Sequence, residues 1–179
     1  MSEQPVFYFK VSIVGDSAVG KTSLIDQFVN QKFEENYIAT MGVNITLKDA
    51  VVDDTPTQLM IWDIGGSESW AKVRSMFYRG SNGVIFVYDV TRPATFLNIT
   101  HYLQDFEESI QKKIPFILIG NKIDLTHLRK IVPENANELM KASNAVAFFE
   151  TSAKTGENVE MAFHLIAQAC LKQSRYSEK

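Results

Sequence analysis

One cysteine, Cys170, in 179 residues excludes an internal disulfide and fits a reducing compartment. It lies in the apolar stretch MAFHLIAQACL, so it reads as a buried helix thiol rather than a nucleophile. Positive charge is also scarce. The net charge is −3, and the longest basic clusters are the pairs Lys112-Lys113 and Arg129-Lys130, both read as solvated surface. That argues against non-specific nucleic-acid binding, which depends on a basic face. No segment approaches the roughly 18 unbroken apolar residues of a spanning helix. The opening MSEQPVFYF has neither a basic signal-peptide region nor a glycine at position 2, and the closing LKQSRYSEK has neither a prenylatable cysteine nor a long basic tail. A soluble cytoplasmic monomer without a lipid anchor of its own is expected. The histidines His101, His127 and His164 share no ligand spacing; His164 reads as structural, and none is assigned a metal or catalytic role.

Repeats and low-complexity linkers are missing too, and the length suits one domain spanning residues 1–179. What is present is an alternation of strand-length apolar runs and segments of helical period. VFYFKVSIVG reads as a first strand and KTSLIDQFVNQ as a helix. VNITLKDAVV and TQLMIWD flank the polar DDTP as a hairpin. GVIFVYDV and PFILIGNKID are uninterrupted apolar strands, as expected for strands covered on both faces. FLNITHYLQDFEESIQ places Phe96, Ile99, Leu103, Phe106 and Ile110 on one helical stripe. ENANELMKAS is a further helix, VAFFETSA a last strand and ENVEMAFHLIAQACLK a closing helix. This order implies an α/β fold: a six-stranded, mostly parallel sheet with one antiparallel edge strand and helices on both faces. Ligands bind such sheets at the carboxyl ends of the strands, and the informative residues fall there.

After the first strand comes GDSAVGKT, residues 15–22, matching G-x-x-x-x-G-K-[ST]. In such a phosphate-binding loop the backbone around Ser17, Ala18, Val19 and Gly20 wraps a phosphate chain, with Lys21, Thr22 and Ser23 opening the helix. Lys21 brings a compact positive charge to the β- and γ-phosphates, and the Thr22 hydroxyl suits Mg²⁺. Asp63 ends the strand after the hairpin turn, placing a carboxylate beside that ion, and Gly66 leaves room for a backbone N–H to meet a γ-phosphate. GNKID ends the fifth strand. Asp124 can accept two hydrogen bonds from adjacent N–H donors, which guanine offers and adenine does not, so a site built on that match rejects the wrong base. Asn121 and Lys122 tie this loop to the phosphate loop. In TSAK, residues 151–154, the backbone around Ser152, Ala153 and Lys154 supplies an N–H for the guanine carbonyl, and the same stretch reads as a capping turn before the last helix. A phosphotransferase built on the same loop would need a lid and an acceptor pocket, for which a chain of this length, with its base site filled by NKID and TSAK, leaves little room.

Together these pieces resemble the small GTPases of the Ras superfamily over about residues 9–171, and within it the Rab branch. GDSAVGKTSLIDQF, TMGVNI, MIWDIGGSE, FYRGSNGVIFVYDVT, GNKIDL and ETSAKTGENVEMAF carry the likeness in order and spacing. The resemblance implies a GDP/GTP switch with Mg²⁺. It also implies that Phe33 stacks on the guanine, that Tyr37 closes over the phosphates, and that Thr40 reaches Mg²⁺ only when the γ-phosphate is present. A second switch would cover about residues 64–79. An exchange factor, a GTPase-activating protein and effectors would bind the switches, bringing the protein transiently to membranes. Of the aromatic triad that Rab effectors read, Trp62 and Phe77 are kept and Ile45 replaces a phenylalanine.

Ser67 stands where the family usually has the glutamine that orients the attacking water. Serine is shorter by the reach of an amide and cannot touch both water and phosphate. Loss of one positioning group costs on the order of 10²–10³ in rate. Slow intrinsic hydrolysis with intact nucleotide binding is expected. A partner supplying the missing group in trans, a long-lived GTP state, and a non-switching scaffold each account for the substitution. Gly65, in place of the usual alanine, loosens the second switch, while Glu68 matches the Rab pattern and is not given the missing role. Ser17 occupies a position where Rabs carry serine or glycine.

Overall fold

The computed structural model describes residues 6–34, 40–67, 71–110 and 113–177. Tyr37, Lys112, Glu68 and Ser69 lie outside them. Among the described residues six strands form one sheet in the order β2-β3-β1-β4-β5-β6. The strands are β1 (Phe7–Val14), β2 (Val43–Val52), β3 (Thr55–Ile64), β4 (Gly83–Asp89), β5 (Phe116–Asn121) and β6 (Ala147–Thr151). All neighbours pair in parallel except β2 with β3, so the expected sheet with one antiparallel edge is what forms. The helices are α1 (Lys21–Asn30), α2 (Ala71–Tyr78), α3 (Pro93–Ser109), α4 (Pro133–Ser143) and α5 (Val159–Ser177).

The buried strands follow from their apolar runs: every residue of β4 and of β5 is buried. One face packs on α1 and α5, where Phe28 and Phe163 stack at 4.3 Å with rings 4° from parallel. The other face packs on α2, α3 and α4 around Phe86, Phe106 and Phe116, whose rings meet edge to face at 5.6 Å. On the α3 stripe, Ile99, Leu103 and Phe106 are buried, with Phe96 and Ile110 packed at its margin. Cys170 is buried against the sheet, and burial pushes its thiol up to about 12, which suits an inert side chain.

Three details differ from the sequence expectation. The hairpin turn is tighter than DDTP: Asp53 and Asp54 alone turn, both left-handed at φ 46° and 58°, while Thr55 and Pro56 already belong to β3. Two left-handed residues match the twist of a two-residue hairpin, and Gln168 of α5 donates to the Asp53 carboxylate at 2.9 Å. Arg129 is not a solvated surface charge. Its guanidinium meets Glu150 at 2.5 and 3.0 Å, a two-pronged pair that raises its pKa. His164 lies on the exposed side of α5 and packs in neither core layer.

Candidate functional site

The segments that follow β1, β5 and β6, with α1 and the residues just after it, line a cleft of about 490 Å³, within the range of small-molecule sites. Ala18, Thr22, Ser23, Phe33, Asp124 and Lys154 are among its lining residues. Its floor is the loop of residues 15–20 between β1 and α1. Gly20 precedes the helix at φ 99°, and a Cβ there would lie 2.3 Å from Asn121 Nδ2, so both backbone and space require glycine. Lys21, 6% exposed, folds back to donate to the carbonyls of Gly15 at 2.8 Å and Asp16 at 2.9 Å. Val19 is fully buried and faces the core, so only its backbone serves the cleft.

Beside the loop three oxygens converge. Thr22 donates to Asp63 Oδ2 at 2.5 Å, the Thr22 and Thr40 hydroxyls are 2.8 Å apart, and Thr40 lies 3.5 Å from the same carboxylate oxygen. Sheet register brings Asp63 opposite Ile13 of β1, just before the loop. Asp63 is 1% exposed, its Oδ1 has no hydrogen-bond partner among the described residues, and burial raises its pKa despite the Thr22 and Thr40 bonds and the Lys21 charge. Two hydroxyls and a buried carboxylate with an unused oxygen form a hard-oxygen set that fits Mg²⁺. The chain after Asp63 turns back on the loop. Gly65 N–H donates to Gly42 O at 2.9 Å, and a Cβ on Gly66 would lie 2.4 Å from the Asp16 carbonyl carbon. Ser67 follows, exposed.

At the other end the residues of GNKID and TSAK interlock. Asn121 is 1% exposed; it donates to Val19 O at 2.9 Å and accepts from Thr151 at 3.1 Å and from Ala153 N–H at 3.2 Å. Lys122 donates to Ala18 O at 2.7 Å. Asp124 accepts from the Ser152 hydroxyl at 2.7 Å, which in turn accepts from Thr155 N–H at 3.1 Å. The TSAK residues therefore close their own turn, and α5 begins only at Val159.

Several residues that the motifs did not single out complete the site. Asp89, at the end of β4, takes Lys122 at 2.8 Å and Arg92 at 3.0 Å on one oxygen and Thr91 on the other. Burial alone would raise Asp89, but Lys122 and Thr91 hold it below the usual carboxylate range. Asp16 accepts from Tyr102 at 2.6 Å and Asn98 at 2.8 Å, tying the loop to α3. Asp26 lines the cleft with Glu34, and burial, Glu34 and Asp63 raise its pKa. The strand-end position of Asp89 was a usable signal. Nothing in the sequence spacing marks Asn98, Tyr102 or Asp26.

The fold and this cleft define a nucleotide-binding G domain. The Ras family model matches residues 10–172. The chain is 38% identical to "Ras-related protein Rab-7a" of Paramecium octaurelia, covering 99% of this chain and 88% of that one. It is 38% identical to "Ras-related protein Rab7" of Drosophila melanogaster, covering 99% and 87%. With "Ras-related protein Rab-1" of Theileria annulata it shares 40% identity over 91% of this chain and 74% of the relative. The chain belongs to the Ras family as a Rab-like small GTPase, a GTP-binding molecular switch and GTP hydrolase.

Proposed function

We propose that residues 1–179 work as one G domain that binds GDP and GTP with Mg²⁺ and hydrolyses GTP slowly unless a partner assists. The observation that carries this reading is the convergence of the Thr22, Thr40 and Asp63 oxygens beside Lys21. Asp63 and the two hydroxyls would hold Mg²⁺, which would supply neutralising charge to the phosphate oxygens. Lys21 adds a fixed positive charge to the same oxygens, the amides of residues 17–20 orient the phosphate chain, and Gly66 offers a backbone N–H to the γ-phosphate. Asp124 accepts from guanine N1 and N2, the TSAK backbone of residues 151–154 supplies an N–H for the guanine carbonyl, and Phe33 stacks on the base. Tyr37 and the remainder of the first switch lie outside the described residues.

Hydrolysis needs a group that holds the attacking water in line. Ser67 sits just beyond Gly66 with a hydroxyl one carbon from the backbone, too short to span water and phosphate together. An activating partner supplying an Asn or Gln in trans completes the site, and exchange factors and effectors read the switches. Their surface includes Trp62 and Phe77, 6.4 Å apart, with Ile45 paired to Trp62 across the sheet and 49% exposed. Among the described residues no helix is long and apolar enough to cross a membrane, and membrane association is proposed to come through partners.

Single-turnover GTP hydrolysis by the wild type and Ser67→Gln tests this. The expected outcome is a slow wild type and a variant faster by on the order of 10². Equal inertness in both, with GTP retained, would replace the switch by a non-switching scaffold. A wild type already as fast as the variant would overturn the role given to Ser67.

A further inference from the structure

Three successive carbonyls of the phosphate loop are each held by a side-chain donor. Arg92 donates to Ser17 O at 3.0 Å, Lys122 to Ala18 O at 2.7 Å and Asn121 to Val19 O at 2.9 Å. In a trans peptide the C=O and the following N–H point in opposite directions, so a carbonyl pinned outward aims the next amide inward. Arg92 therefore controls the Ala18 N–H, as Lys122 controls that of Val19 and Asn121 that of Gly20. Ala18 lies between the first two pins in a left-handed conformation, φ 60°. That conformation costs a non-glycine residue on the order of 1–2 kcal/mol, yet it is the one that curls successive amides into an anion-binding concavity.

Lys122 and Asn121 belong to the base-binding motif, but Arg92 belongs to none. It stands immediately before α3, extended at φ −123°, with Pro93 opening the helix. A residue before proline is restricted to extended backbone, so the origin of the Arg92 side chain is fixed. Its Nε is anchored 3.0 Å from Asp89 Oδ2, the oxygen that also takes Lys122 at 2.8 Å. One buried carboxylate thus aims two cations at two consecutive carbonyls on either side of the strained residue.

We infer that Arg92 is a positioning residue for the phosphate chain of the nucleotide: through the Ser17 carbonyl it holds the Ala18 amide in its anion-binding orientation. It touches neither base nor phosphate. The inference rests on the nucleotide-binding reading above and adds to it a residue that sets phosphate affinity without setting base choice.

Fluorescent GDP dissociation from the full chain, and competition of GDP against ADP, test it in Arg92→Met and Arg92→Lys. Loss of a charge-assisted hydrogen bond at a partly exposed site leads us to expect about tenfold faster GDP release in Arg92→Met. Arg92→Lys, which keeps a cation beside Asp89 but lacks the fork that reaches Asp89 and the Ser17 carbonyl together, should release GDP at a rate between the wild type and Arg92→Met. GDP-over-ADP preference should be unchanged in both, because Asp124 and Ser152 are untouched. Release from Arg92→Met indistinguishable from the wild type would overturn the inference. So would a fall in base preference alongside faster release, since Arg92 would then merely support the whole base end through Asp89. A wild type that fails to bind GDP would instead defeat the nucleotide-binding reading itself.

Discussion

Asp63 near the end of β3 and Asp89 at the end of β4 flank β1 in the same sheet and are equally buried, each 1% exposed, yet their carboxyls are pushed in opposite directions. Asp89 is surrounded by Lys122, Arg92 and Thr91, and both its oxygens are used. Asp63 has two hydroxyls on one oxygen and, among the described residues, no hydrogen bond on the other. Lys21 is near enough for its charge to act while it donates to backbone carbonyls. The contrast runs through the whole cleft. The base end is internally satisfied: Asn121, Lys122, Asp124 and Ser152 each have protein partners that hold them in place before any ligand arrives. The phosphate end on the switch side holds a buried carboxylate, Asp63, whose pKa burial raises despite the Thr22 and Thr40 hydroxyls and the nearby Lys21 charge. Specificity is built as a finished polar network. Under the proposed function, response to the ligand rests on a buried carboxylate whose cost a bound cation would offset.

The difference can be broken most severely at Asp124. Asp124→Ala removes a charged acceptor for two donors, each worth about 1.5–3 kcal/mol, so guanine nucleotide affinity should fall by on the order of 10²–10⁴. Calorimetric titration with GDP reads this, and a loss under tenfold would mean the base is not read there. Asp63→Asn should separate stability from function. Without nucleotide or Mg²⁺ the variant should melt about 2–4 °C higher, because a buried charge is gone. The acceleration of GDP release by chelating Mg²⁺ should largely disappear. A lower melting point in the ligand-free variant would mean that Asp63 is already compensated, and the contrast with Asp89 would fail.

What could be read from the sequence divides along the same line. The central strands were recognised because parallel strands buried on both faces read as continuous apolar runs, as in GVIFVYD and FILIGN. Yet β5 closes at Asn121 and β6 at Thr151, short of the ends of the runs PFILIGNKID and VAFFETSA. GDSAVGKT and GNKID were legible as motifs because a loop built to take a phosphate chain and one built to read guanine would each need particular residues at fixed spacing. The supports were not legible. Arg92, Asn98 and Tyr102 reach the loop from 75, 82 and 86 residues away, and such reach is set by helix placement, not by local pattern. Arg129 was misread for the same reason: its partner Glu150 is 21 residues distant, on β6. The hairpin was placed correctly but its turn was drawn two residues too long, since Thr and Pro after two aspartates look like turn chemistry when the register is unknown.

The smallest expected effect is in pH. Asp89 has a folded-state pKa below its unfolded value, so its contribution is fully present above the unfolded value of about 3.9 and is lost as pH falls through the lower folded value. Asp89→Asn should therefore be less stable than the wild type by a margin that stays level between pH 7 and about 5. The margin should close only below about pH 4, as the wild-type carboxyl is protonated and its hold on Lys122 and Arg92 weakens. Urea unfolding of both proteins across that range measures the margin directly. If it already shrinks between pH 7 and 5, Asp89 titrates above the ordinary carboxylate range. The two buried carboxylates would then behave alike, and the base end would carry the same burial cost as the switch side.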